Sequence, residues 1–236
     1  MQSIKDRLAT IKTQIAYAAK SCGREPEEIT LVAVSKKKDV DTVLDAINSG
    51  VKILGENYIQ EATDKIDAIG QEIDLNIDLD IQWHFIGHLQ SNKAKVAVEY
   101  FDLIHTVDSL KLAKEIDRQA KKIGKIQDIL IQVNISQEET KSGAAADDAI
   151  SLAQSISSLK SLSLKGLMGM PPFFDEPERA RPYFRELAKI RDRIENMHIT
   201  SISMEHLSMG MSGDFQVAIE EGSTMVRIGT SIFGTR

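Results

Sequence analysis

The sequence predicts an α/β protein built as a single (β/α)8 TIM barrel, with one extra helix at its N-terminus. Three observations carry this. Apolar periodicity switches repeatedly between strand-like runs and helix-like stripes. The strand runs are apolar on both faces, as in a parallel sheet covered by helices. Eight such units fit the 236 residues as one domain over 1–236. Neither a G-x-G-x-x-G turn after the first strand nor a P-loop marks the alternative, an open doubly wound sheet.

Residues 4–20 place Ile4, Leu8, Ile11, Ile15 and Ala18 on one face of an amphipathic helix. Gly23 and Pro26 end it, one by backbone freedom and the other by removing a donor. Strand 29–35 follows, then a helix over 40–49 that Gly50 stops. Strand 51–55 precedes helix 58–69, strand 80–86 precedes helix 92–100, and strand 103–107 precedes helix 110–123. Residues 126–135 form a buried strand centred on Ile129, Leu130, Ile131 and Val133, with helix 144–159 after it. Strand 162–168, a long helix over 176–196, strand 199–204, helix 214–221 and strand 225–228 complete the pattern. The acidic stretch 71–80 reads as an exposed loop, and 208–214 as a loop of small residues.

Composition narrows the function classes. Hydrophobic residues make up 42% and charged residues 27%, which is ordinary for a globular chain. A net charge of −6 argues against a general nucleic-acid binder, and Lys36-Lys37-Lys38 is too short a basic run to reverse that. A lone Cys22 excludes an intramolecular disulfide and suits a reducing compartment. The N-terminus lacks the apolar core of a signal peptide, and no apolar run reaches the roughly 20 residues of a membrane span. The expectation is a soluble, cytoplasmic protein with neither nucleic-acid nor membrane partners.

Three features bear chemistry. In Leu31-Val32-Ala33-Val34-Ser35-Lys36, strand alternation puts Lys36 on the side of Val32 and Val34, over the barrel mouth. Desolvation and nearby cations there favour the neutral amine of a Schiff-base lysine, whereas Lys37 and Lys38 are expected to reach solvent. Ser212 precedes the helix near Asp214, and Gly229-Thr230 follows the last strand. Small and hydroxyl residues after strands seven and eight make a phosphate cradle, although an N-cap and a tight turn would also explain them. Arg227 sits in apolar Met225-Val226-Arg227-Ile228, where a charge needs a partner. A salt bridge to Glu205 or Glu220 would supply one; a ligand acceptor at the mouth would supply another.

The order Val34-Ser35-Lys36, Leu54-Gly55-Glu56-Asn57-Tyr58, Trp83-His84-Phe85-Ile86-Gly87, Leu89-Gln90-Ser91-Asn92-Lys93, Lys141-Ser142-Gly143, Gly166-Leu167-Met168, Leu207-Ser208-Met209-Gly210-Met211-Ser212 and Val226-Arg227-Ile228-Gly229-Thr230 resembles the pyridoxal-phosphate homeostasis protein family. Those proteins are similar to the barrel domain of alanine racemase, and the resemblance covers nearly the whole chain. It implies that Lys36 holds pyridoxal 5′-phosphate as a Schiff base. Ser212, Gly229 and Thr230 would hold the phosphate, and Arg227 would face the pyridine nitrogen. It also implies Asn57 and His84 as pocket residues and makes Lys141 a candidate second lysine for the cofactor. Lys37-Lys38-Asp39 and His88 depart from the family pattern outside these positions.

A guanidinium only donates, so a ring nitrogen facing Arg227 must accept and stay unprotonated. Such a ring is a weak electron sink, which disfavours transamination and leaves racemisation open only with a base on each face. A racemase would also need a tyrosine from a second, β-rich domain, and the sequence stops after the eighth unit. The expected function is therefore an intracellular carrier or buffer of pyridoxal phosphate, a monomer with apo-enzymes as recipients and without evident catalysis. An amino-acid racemase is the alternative. No metal is expected, since His84 and His88 fall across a strand end and Gly87 rather than on one helix face.

Overall fold

The computed structural model describes residues 2–72, 80–136, 138 and 142–234; in it, parallel strands close into a barrel in chain order. They are β1 (Thr30–Val34), β2 (Ile53–Glu56), β3 (Gln82–Phe85), β4 (Leu103–Val107), β5 (Gln127–Val133), β6 (Leu162–Gly169), β7 (Ile202–Met211) and β8 (Met225–Ile228). Pairing of β1 with β8 closes the seam and sets Val32 opposite Arg227. Outside the sheet lie α1 (Ile4–Ser21), α2 (Val40–Asn48), α3 (Ile59–Glu72), α4 (Ala94–Tyr100), α5 (Leu110–Lys122), α6 (Ala146–Ile156), α7 (Arg181–Glu195), α8 (Phe215–Glu220) and α9 (Thr230–Phe233).

Helix α1 begins at a capping box in which Ser3 and Asp6 satisfy each other's backbone donors. Its buried stripe of Ile4, Leu8, Ile11 and Ile15 packs on α8 and α9, and Arg7 Nε donates to Ile232 O at 2.5 Å. The extra helix thus braces the two short helices nearest the site.

Strand alternation splits the interior in two. Ala33, Leu54, Phe85, Ile104, Ile129, Leu164, Leu207 and Val226 belong to the large cluster under the helices. Leu103, Leu130, Met168 and Met225 form a separate, small cluster on the other face, inside the barrel. They share that space with buried His84, His105, Ser208 and Arg227. The inside is thus more polar than the branched aliphatic filling that the fold class implies.

Among the boundaries that differ from the sequence reading, three bear on the fold. The helix expected over 176–196 is a 3-10 turn, Pro177–Ala180, followed by α7. The break puts Pro182 in the first turn of α7, where its missing N–H costs nothing. Helix α3 runs to Glu72, two residues into the stretch read as loop, and residues 73–79 lie outside the described residues.

The largest difference is β7, expected over 199–204 but found over Ile202–Met211. Ser208–Met211, read as loop, is strand. Its pairing with β8 shifts register between Ser208 and Met211, where Gly210 takes φ 92°. A Cβ at Gly210 would lie 2.6 Å from Ala218 Cβ and 2.9 Å from Phe215 Cα. Small residues here are therefore needed for α8 to pack against a bulged strand. Gly210→Ala is expected to lower stability by about 2 kcal/mol in denaturant titration, through strain at positive φ plus overpacking. A change within about 0.5 kcal/mol, the level of an indifferent surface site, would remove this account.

Candidate functional site

A cavity of about 380 Å³ opens at the C-terminal ends of the strands. Its walls come from residues just past those ends: Lys36 after β1, Asn57 after β2, Ile86 after β3, Met170 after β6, Ser212 after β7 and Gly229 with Thr230 after β8. Arg227 reaches it from within β8. Apolar Phe173 and Phe174, in the segment after β6, also line it, and Phe173 is 86% exposed.

Lys36 is half-buried, and the backbone on both sides of it is clamped. Lys65 Nζ donates to Ser35 O at 2.9 Å, and Ser35 Oγ donates to Glu56 Oε1 at 2.7 Å. The Lys37 N–H donates to the Glu61 carboxylate, letting Lys37 turn at φ 60°. Lys65 closes this cluster by pairing with Glu56 Oε1 at 2.5 Å and Glu61 Oε1 at 3.1 Å. Lys37 is exposed beside the Tyr58 ring, as expected of a solvent-reaching lysine. Lys38 differs: its Nζ donates to Phe233 O at 3.2 Å, at the end of α9. The ammonium there satisfies carbonyls at the helix end that lack an intrahelical partner.

Arg227 is 4% exposed and pairs with neither glutamate proposed for it. Glu205 faces Lys165 at 3.8 Å, and Glu220 faces Arg181 at 2.6 Å. Arg227 instead donates through Nη1 to Ser208 Oγ at 2.6 Å and through Nη2 to Gly169 O at 3.1 Å. Burial lowers its pKa to about 10, with Asp214 opposing, so it stays charged at neutral pH. A buried cation with only neutral acceptors in hydrogen-bond reach is suited to a further acceptor in the cavity.

The turns after β7 and β8 do not present a pair of helix dipoles. Helices α8 and α9 have six and four residues, too short for a developed macrodipole. Ser212 is not the N-cap of α8; Asp214 stands there, and its Oδ1 accepts from Met211 N at 2.6 Å. That bond holds the turn and leaves the Ser212 hydroxyl out of capping. Burial raises the Asp214 pKa, while the bond from Met211 N and the charge of Arg227 pull it down. Gly229 leaves room that a side chain would take, since its Cβ would meet Val34 O at 3.3 Å.

Asn57 borders the cavity with its Oδ1 buried and without a partner among the described residues. Gly87 permits this placement, because a Cβ there would overlap Asn57 O at 2.0 Å. His84 is elsewhere. It lies inside the barrel, 2% exposed, with Nδ1 3.0 Å from His105 Nε2, and does not border the cavity. His88 stands apart from it, beside Ser142 at 3.4 Å. Lys141 lies outside the described residues. The structure thus brings together six of the seven expected site residues. Asp214 also lines the cavity, and Ser208 and His105 lie behind Arg227 inside the barrel; none of the three was among the expected site residues.

The alanine racemase N-terminal domain family matches residues 7–236. A pyridoxal phosphate homeostasis protein of Vibrio alginolyticus is 42% identical over 236 residues, covering 100% of this chain and 99% of its own length. The chain belongs to the pyridoxal phosphate homeostasis protein family. The Escherichia coli K12 member is also 42% identical, with 100% and 98% covered. Among solved structures, PipY of Synechococcus elongatus with PLP bound is 31% identical at a TM-score of 0.85, covering 98% of this chain and 100% of its own. An alanine racemase of Clostridium difficile, 16% identical at a TM-score of 0.71, shares the fold over 98% of this chain and 57% of its own. The family barrel, with an N-terminal helix in front, is the one described above. Among the described residues no helix is long and apolar enough to cross a membrane.

Proposed function

We propose that this chain binds pyridoxal 5′-phosphate covalently at Lys36 and serves in its intracellular homeostasis as a carrier or buffer, without evident catalysis. The observation that carries the reading is Arg227, a buried cation without a carboxylate in hydrogen-bond reach, bordering the same cavity as Lys36. Once bound, the cofactor supplies an aldehyde with which a lysine amine condenses, as a Schiff base, releasing water. Ser212, Gly229 and Thr230 would hold the phosphate. Arg227 would donate to the ring nitrogen, and the orphaned Asn57 Oδ1 would accept from the cofactor or a bridging water. The residues fit the group: a cation, a hydroxyl cradle and an unsatisfied acceptor converge on a cavity with apolar walls for a ring.

Placement of the tyrosines supports the non-catalytic reading over a racemase. Tyr17 is 75% exposed, Tyr58 lies beside Lys37, Tyr100 donates to Asp67 Oδ2 at 3.1 Å, and Tyr183 packs on Phe174. None borders the cavity, so none stands ready as a base opposite Lys36. Recipient apo-enzymes, a monomeric state and a cytoplasmic setting complete the proposal.

The visible spectrum of the purified protein tests it, before and after borohydride reduction, with mass mapping of the modified lysine. The expected result is a yellow protein modified at Lys36 that does not racemise single-enantiomer amino acids. A colourless protein that takes up no pyridoxal phosphate overturns the cofactor reading. Racemisation that depends on Lys36 replaces the carrier by an enzyme.

A further inference from the structure

Three buried hydrogen bonds cross the barrel interior behind Arg227. Arg227 Nη1 donates to Ser208 Oγ at 2.6 Å, Ser208 Oγ lies 2.9 Å from His105 Nδ1, and His105 Nε2 lies 3.0 Å from His84 Nδ1. They link β8, β7, β4 and β3, and all four side chains are buried. Neither histidine borders the cavity, nor does Ser208.

The chemistry of the donors gives this chain a direction. An arginine cannot accept, so Ser208 Oγ accepts from it. The hydroxyl's single proton is then available for His105 Nδ1, which places the His105 ring proton on Nε2, facing His84 Nδ1. The opposite direction would aim two donors at one hydroxyl oxygen and leave the hydroxyl proton without an acceptor in the chain. Burial foremost holds both imidazoles neutral, lowering the His84 pKa to about 3 and that of His105 well below its usual value. The other charged or titratable groups that act on the chain are His206, on both imidazoles, and Asp214, on Arg227. A neutral chain adds no second cation beside the guanidinium.

An aliphatic layer would fill this space without the desolvation cost of two imidazoles. What the polar layer does instead is fix Arg227. Ser208 Oγ and Gly169 O, on different strands, each take one guanidinium nitrogen. On the reading that Lys36 carries pyridoxal phosphate, we propose that His105, backed by His84, is a positioning residue for Arg227. It orients the Ser208 hydroxyl as an acceptor, and so aims the remaining guanidinium donors at the cofactor's ring nitrogen.

The test is His105→Leu, with His105→Gln as the conservative variant, since glutamine carries one acceptor and one donor. Ser208→Ala, which removes a single oxygen, serves if His105→Leu does not fold. Pyridoxal phosphate affinity, the pH midpoint of the visible band and the melting temperature of the apo-protein are measured for each. His105→Leu is expected to weaken affinity about tenfold, the worth of one hydrogen bond to a charged group. It should also shift the pH midpoint, and His105→Gln should recover most of both. A purely structural histidine would lower the melting temperature while leaving the midpoint at the wild-type value, and that result overturns the proposal. A wild-type protein with no visible band at saturating pyridoxal phosphate defeats the cofactor reading and this proposal together. One whose band ignores the His105 or Ser208 substitution defeats this proposal alone.

Discussion

A Lys36→Ala chain is expected to lose its visible band and all borohydride-trapped pyridoxal phosphate, with affinity falling about a hundredfold or more. The size of the effect follows from the lack of a second lysine among the described residues that border the cavity. Lys37 is exposed beside the Tyr58 ring and does not border the cavity. Lys38 is committed to carbonyls at the end of α9, and Lys65 is enclosed by Ser35, Glu56 and Glu61. Residual affinity should come from Ser212, Gly229, Thr230 and Arg227 holding the phosphate and ring. Absorbance titration with circular dichroism as a folding control measures the loss, and peptide mapping locates any remaining label. A variant that stays yellow with the label on another lysine would take the covalent role from Lys36.

Most of the barrel can be read from the sequence because β-strands buried on both faces leave apolar runs, such as Ile129-Leu130-Ile131. The site is partly readable for a related reason. Arg227 stands out because a charge interrupts such a run. His105 carries the same anomaly in Leu103-Ile104-His105-Thr106-Val107, and this signal was available for the chain that ends at His84. Ser208 and Gly210 misled for the opposite reason. Small residues usually mark loops, yet here they sit in a strand whose bulge must admit α8. The Glu56–Lys65 pair had no local signature at all. It joins a strand end to the second turn of a helix, a contact set by the docking of α3 rather than by residue spacing.

That pair is where the largest loss of stability is expected. Glu56 is fully buried and Lys65 is 4% exposed. Glu56 Oε1 is shared between Lys65 and Ser35, while Oε2 has no partner among the described residues. Burial holds the Glu56 carboxyl above its usual range even though Lys65 and Ser35 pull it down. Lys65→Met removes the cation and leaves a buried carboxylate uncompensated, which should cost about 3–5 kcal/mol at neutral pH, a large fraction of a domain's total stability. The pH dependence has a definite sign. Without Lys65 the folded-state pKa of Glu56 rises further, so ionisation costs more in the folded chain than in the unfolded one. The variant therefore loses stability as pH rises from the ordinary carboxylate range through that folded value, and levels off above it. Below that range Glu56 is neutral in both states, and only the lost contacts of Lys65 with Ser35 and Glu61 remain in the deficit. Denaturant unfolding at acid and neutral pH measures the difference; equal deficits at both would show that the pair's charge is not what matters. Adding Glu56→Leu should recover much of the loss, because an apolar pair leaves no charge to solvate. It would not restore the clamp. The double variant should fold well yet take up pyridoxal phosphate more slowly than wild type, since Ser35 would have lost both side-chain partners that fix the backbone before Lys36.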